Sequence, residues 1–167
     1  WTARLGPKSK PRIGVVWSGN PQHGNDRNRS VPLSLLSQYF CDDFDYICLQ
    51  KELRGTDQEV LQSIANFYQF TTELKDFSDT AALCSLMDVV ISVDTSVAHL
   101  SGAMGLTTWI LLPFVPDWRW MLNTDKSPWY PSATLYRQST AIDWPTVFQK
   151  IKNDLNAKFA PALTPSN

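Results

Sequence analysis

Six short apolar runs recur along the chain, at residues 12–17, 46–49, 67–70, 89–93, 108–112 and 134–136. Stretches with helical spacing fall at 32–40, 57–65, 78–87, 95–104 and 145–155. Strands that alternate with helices need crossover connections, so this order predicts an α/β domain with a mostly parallel sheet of about six strands and helices on both faces. A chain of 167 residues suits one such domain, and it is long enough to bury most of the surface it exposes when unfolded. The expected division is a lead over 1–11, the domain over 12–158 and a frayed, proline-containing tail over 159–167. Because it starts on Trp1 rather than methionine and reaches its first strand after only a short Lys, Arg and Pro-rich lead, the chain reads as a domain excised from a longer protein.

In a parallel sheet the ligand lies beyond the carboxyl ends of the strands, where loops and helix starts converge. Three loops qualify by position: 18–30 after the first strand, 71–79 after the third, and the turn at Asp94. The last is the sharpest signal. An apolar run ends on Asp94 and passes at once into a helix through Thr95 and Ser96, with His99 one turn later. The free N–H groups at a helix start carry partial positive charge and form a site for a phosphate. The plainer alternative makes Asp94 or Thr95 a simple cap and His99 a satisfied core histidine.

Standard nucleotide fingerprints are absent. The first strand leads to Gly14-Val-Val-Trp17-Ser18-Gly19 without GxGxxG spacing, and no GK[ST] follows any strand. The 18–30 loop instead carries Arg27 and Arg29, whose planar guanidinium groups suit phosphate, although a solvated turn is the common reading of such a loop.

Charge and cysteines narrow the class further. Fifteen basic against sixteen acidic side chains give no field for nucleic acid or an anionic membrane, so any anion is held locally. Cys41, Cys48 and Cys84 form no CxxC pair, which fits reduced thiols and a cytoplasmic setting. With His23 and His99 the sole histidines, no set of metal ligands is expected, and no apolar run reaches the length of a membrane span. The connection from Leu112 to Pro131 is rich in proline and aromatic residues. At least two of its three tryptophans, Trp118, Trp120 and Trp129, are expected to plug the edge of the core, and the rest to meet a ligand or partner.

The run Val-Ile-Ser-Val-Asp94-Thr95-Ser96-x-x-His99-Leu-x-Gly102-Ala-x-Gly105, with Pro116-Asp117-Trp118-Arg119-Trp120 downstream, resembles the carboxyl-terminal half of the heptosyltransferase-like glycosyltransferases of family 9. The nearest match is the branch fused to tetratricopeptide repeats. The resemblance spans about Arg12 to Leu155 and implies one Rossmann-like, three-layer half of a GT-B fold. It further implies a metal-independent domain, with no cofactor, that binds a nucleotide-diphospho-sugar. The other half, or the repeats, would be its partner and would supply the acceptor site and general base.

By the same resemblance, Thr95 and Ser96 cradle the diphosphate beside Ser18 and Gly19, Asp94 orders the turn, and His99 supports the phosphates or the turn. Family members place a lysine ahead of a Trp-Pro pair. Here Arg29-Ser30-Val31-Pro32 stands at that place and gives Arg29 the role of neutralising phosphate, while Ser96 replaces the usual glycine. Asp76, Phe77, Asp79, Thr80 and Trp118 are candidates for the nucleotide or sugar pocket. Two rival classes remain: a non-catalytic docking module of a larger repeat protein, and sugar-nucleotide epimerisation, which needs an additional acid/base pair.

Overall fold

All six strands pair in one parallel sheet: β1 (Arg12–Val16), β2 (Asp45–Cys48), β3 (Phe67–Tyr68), β4 (Val89–Val93), β5 (Thr108–Leu112) and β6 (Ala133–Arg137). Their order across the sheet is β3-β2-β1-β4-β5-β6. The structure, a computed structural model, describes residues 1–160; of the tail expected over 159–167, Phe159 is helical and residues 161–167 lie outside the described residues. Every residue of β1, β4 and β5 is buried, which is why these runs read as nearly continuous apolar segments rather than alternating ones.

Side chains alternate between two covered faces. Val15, Tyr46 and Ile91 point to one face, where they meet Leu36 of α3 (Leu33–Leu36), the 3-10 turn Ser37–Tyr39, and Phe148 and Ile151 of α7 (Trp144–Phe159). On the opposite face, Ile110 and Leu135 cluster with Ala98 of α6 (Ser96–Ala103) and with Trp120. Helix α5 (Phe77–Cys84) packs beside α6. The result is the expected three-layer, Rossmann-like arrangement.

Element bounds differ where tertiary contacts override local spacing. The helix expected over 32–40 is a four-residue α3 running into the 3-10 turn, because Phe40 turns to extended backbone and stacks on Tyr46 at 3.9 Å. β3 is two residues long at the sheet edge, α4 ends at Gln62 (Asp57–Gln62), and α7 continues to Phe159. Two short helices, α1 (Thr2–Leu5) and α2 (Asp26–Arg29), were not signalled by any periodicity. The lead packs on the domain through Trp1, edge-on to Phe70 at 5.6 Å, and an Arg4–Glu73 ion pair at 2.5 Å.

The aromatic connection corrects one expectation. Only Trp120 is a core residue, at 0% exposure, whereas Trp118 and Trp129 are 67% and 53% exposed. A 3-10 turn at Trp118–Trp120 drives a single indole inward, and a turn of three residues cannot bury both of its ends on one side. All three cysteines are free, with Cys48 and Cys84 buried and their thiols pushed up to about 12 by desolvation. No helix among the described residues is long and apolar enough to cross a membrane.

Candidate functional site

The chain leaves β1 toward β2 and β3, then returns to place β4 on the other side of β1. Connections on the two sides of that point diverge, and a crevice opens beyond the carboxyl ends of β1 and β4. It is a cleft of about 780 Å³ whose lining includes Ser18, Gly19, Arg29, Thr80, Thr95 and Ser96.

At its floor, Thr95 takes the N-cap position of α6 in extended backbone, yet its side chain bonds no helix amide. Its hydroxyl lies instead 3.1 Å from Ser92 Oγ. The helix start therefore presents unoccupied N–H groups and the positive end of its dipole to the cleft.

Arg29 supplies the fixed charge. Its Nη1 donates to the Asp94 carbonyl at 2.8 Å, and the side chain is only 12% exposed. The guanidinium lies so close over Gly19 that a Cβ there would stand 2.5 Å from Nη2, so this position admits only glycine while Arg29 keeps its place.

Behind Arg29 sits the buried carboxylate of Asp26. It is 3.8 Å from Arg29 Nε, 2.5 Å from Arg54 Nη2, and accepts from Ser30 Oγ at 2.6 Å. Ser30 Oγ in turn accepts from the Gly19 amide at 3.0 Å, tying the loop after β1 to the same cluster. At the end of β2, Gln50 Oε1 accepts from the Trp17 and Ser18 amides at 2.7 and 2.9 Å.

Asp26, Gln50 and Arg54 were not singled out in the sequence. Gln50 carried a usable signal, since it is the first polar residue after an apolar strand at the carboxyl edge of the parallel sheet. Asp26 and Arg54 carried none, because their pairing spans 28 residues and exists only once the sheet has formed.

The other expected residues divide into two groups. Asp76, Phe77 and Thr80 join Ser18, Gly19, Arg29, Thr95 and Ser96 around the cleft. Phe77 is 59% exposed there, and the Thr80 hydroxyl donates to the Asp76 carbonyl at 3.1 Å. Asp94 contributes its carbonyl to Arg29, whereas His99 stands behind the turn. His99 Nε2 is 3.8 Å from Asp94 Oδ1, Nδ1 is 2.9 Å from the Tyr130 hydroxyl, and the ring stacks on Trp120 at 5.0 Å.

Two residues stand elsewhere. Asp79 accepts from the Lys75 amide at 2.9 Å and borders a separate depression with Trp1 and Arg4, because the first turn of α5 points it away from the sheet edge. Trp118 projects from its turn with Arg119 4.7 Å over the ring, and it does not line the cleft. Among the described residues no group of three or more His, Cys, Asp or Glu side chains is placed to hold a metal ion.

Asp76 shows how the cleft wall is held. It caps α5, accepting from Ser78 Oγ at 2.6 Å and from the Ser78 and Asp79 amides at 2.8 and 3.3 Å. The Ser78 hydroxyl first, then these amides, hold its carboxyl below the usual carboxylate range. A lowered folded value means that the cap stabilises fully above about pH 4 and fades as pH falls through that lower value. Thermal midpoints of wild type and Asp76→Ala are thus expected to differ at pH 7, with the difference narrowing as the pH falls below about 4.

No family model matches the chain. Protein FlbA of Caulobacter vibrioides is 27% identical over 146 residues, covering 80% of this chain and 22% of FlbA. Among solved structures, the E. coli ADP-heptose LPS heptosyltransferase II aligns with a TM-score of 0.60 at 15% identity. That alignment covers 93% of this chain and 48% of the heptosyltransferase. The likeness shows the fold. The chain thus spans about half the length of this structural relative and a smaller part of FlbA.

Proposed function

We propose that this chain is the donor-binding domain of a glycosyltransferase-type protein, taking a nucleotide-diphospho-sugar in the cleft between the ends of β1 and β4. One observation carries the reading: an uncapped helix start and a fixed arginine, bonded to the turn that precedes that helix, line one cleft at the point where the sheet order reverses. Two independent positive features then converge on one volume. The sheet order and the heptosyltransferase likeness support the same reading at the level of fold.

Sugar transfer leaves negative charge on the departing diphosphate. The first amides of α6 and the Arg29 guanidinium stabilise that charge in place, so the reading needs no metal ion. Phe77 and Thr80 border the nucleotide end, with Asp76 holding the helix that carries them. The general base and the acceptor site belong to a further domain or to repeats of the parent protein, so this chain binds donor without turning it over.

A docking module is the second reading. It is favoured by Phe114, Val115, Trp118, Leu122 and Trp129, all exposed on the connection between β5 and β6. Calorimetric titration with ADP-, UDP- and GDP-sugars separates the two. The donor reading expects saturable binding to one nucleotide class, whereas a folded chain that binds none supports docking.

A further inference from the structure

Tyr130 reaches the back of the phosphate turn from the far end of the β5–β6 connection. Its amide and that of Trp129 donate to Ser127 Oγ at 3.2 Å, and its carbonyl accepts from Ala133 N at 2.9 Å, so the backbone that presents it is fixed. The ring lies directly on α6. A Cβ at Gly102 would fall 2.6 Å from it, so the contact depends on glycine at that position.

From there the hydroxyl meets His99 Nδ1 at 2.9 Å, with the two rings edge-on at 5.8 Å. Trp120 stacks on the imidazole face, and Nε2 lies 3.8 Å from Asp94 Oδ1, an electrostatic contact longer than a hydrogen bond. At that separation the carboxylate acts on the ring through its charge alone, which favours the tautomer with the proton on Nε2, and in that tautomer the Nδ1 lone pair accepts from the Tyr130 hydroxyl. On the cleft side the same Asp94 is held through its carbonyl by Arg29.

We infer that Tyr130 is a positioning residue of the anion site, acting through His99 on the Asp94 turn. The inference rests on the donor-domain reading. It gives the aromatic connection a role beyond contact with a partner: one of its tyrosines sets the tautomer of a histidine that braces the turn opposite Arg29. Tyr130 touches no ligand in this role.

The test uses Tyr130→Phe, which keeps the ring and removes the hydroxyl, and Gly102→Ala, which displaces the ring without altering the turn. Trp118→Ala, an exposed residue of the same connection, is the control. Affinity for ADP, UDP and GDP is measured by calorimetry. The His99 tautomer is read from imidazole nitrogen shifts, which are assignable because His23 is the sole other histidine.

Losing one hydrogen bond behind the turn is expected to weaken binding about threefold to tenfold in both variants. The His99 signal should move from the Nε2–H form toward a mixture, while Trp118→Ala matches wild type. A folded Tyr130→Phe with wild-type affinity, or with an unchanged His99 tautomer, overturns the inference while leaving the donor reading intact. Failure of the wild type to bind any of the three nucleotides overturns the donor reading, and the inference falls with it.

Discussion

Arg29→Ala is expected to lower affinity for the proposed ligand, a nucleoside diphosphate, by about tenfold to a hundredfold, the range for removal of a charge-assisted contact. The size follows from how the side chain is held. The guanidinium is mostly buried, bonded to the Asp94 carbonyl at 2.8 Å and backed by Asp26. It therefore meets an anion with little freedom left to lose, unlike a surface arginine that must be ordered on binding. Arg29→Lys should fall between wild type and alanine, because it keeps the charge and loses the planar fork. Calorimetry on the three proteins measures the series, and thermal melting confirms that each is folded.

Trp120→Ala destabilises the fold by about 3–5 kcal/mol, the cost of truncating a buried large aromatic side chain. For a domain of this size the midpoint should drop by roughly 6–20 °C. Trp120 has no exposed surface and packs with Ala98, Ile110, Leu112 and Leu135 on the α6 face of the sheet. It is also the stacking surface of His99, so nucleotide binding should weaken in the molecules that stay folded. Trp118→Ala, two residues away and exposed, should leave the midpoint nearly unchanged. Differential scanning calorimetry on the pair distinguishes a core tryptophan from one presented to solvent.

That contrast marks where the sequence stops being legible. Strands β1, β4 and β5 could be read directly because both faces of the sheet are covered and their apolar runs are nearly continuous. The Asp94 turn was equally readable, since a strand ending at Val93 and a helix starting at Ser96 are adjacent in the chain. Arg29 lies on another loop, where residue type and position made it a candidate beside Arg27, and the resemblance of Arg29-Ser30-Val31-Pro32 to a family pattern singled it out. Residues joined solely by tertiary folding were not visible: Asp26 with Arg54, Gln50 under the Trp17 and Ser18 amides, and Tyr130 behind His99. In the aromatic connection, composition shows that rings are present, but the 3-10 turn at Trp118–Trp120 decides which one is buried.

The central claim is that the uncapped start of α6 and the loop after β1 hold one anion between them. Amide chemical-shift mapping during titration with the preferred nucleoside diphosphate tests it most directly. The account predicts the largest perturbations at Gly19, Thr95, Ser96 and Val97, saturating together with the calorimetric isotherm. Perturbations confined to residues 113–131, or none in a folded sample, would contradict it.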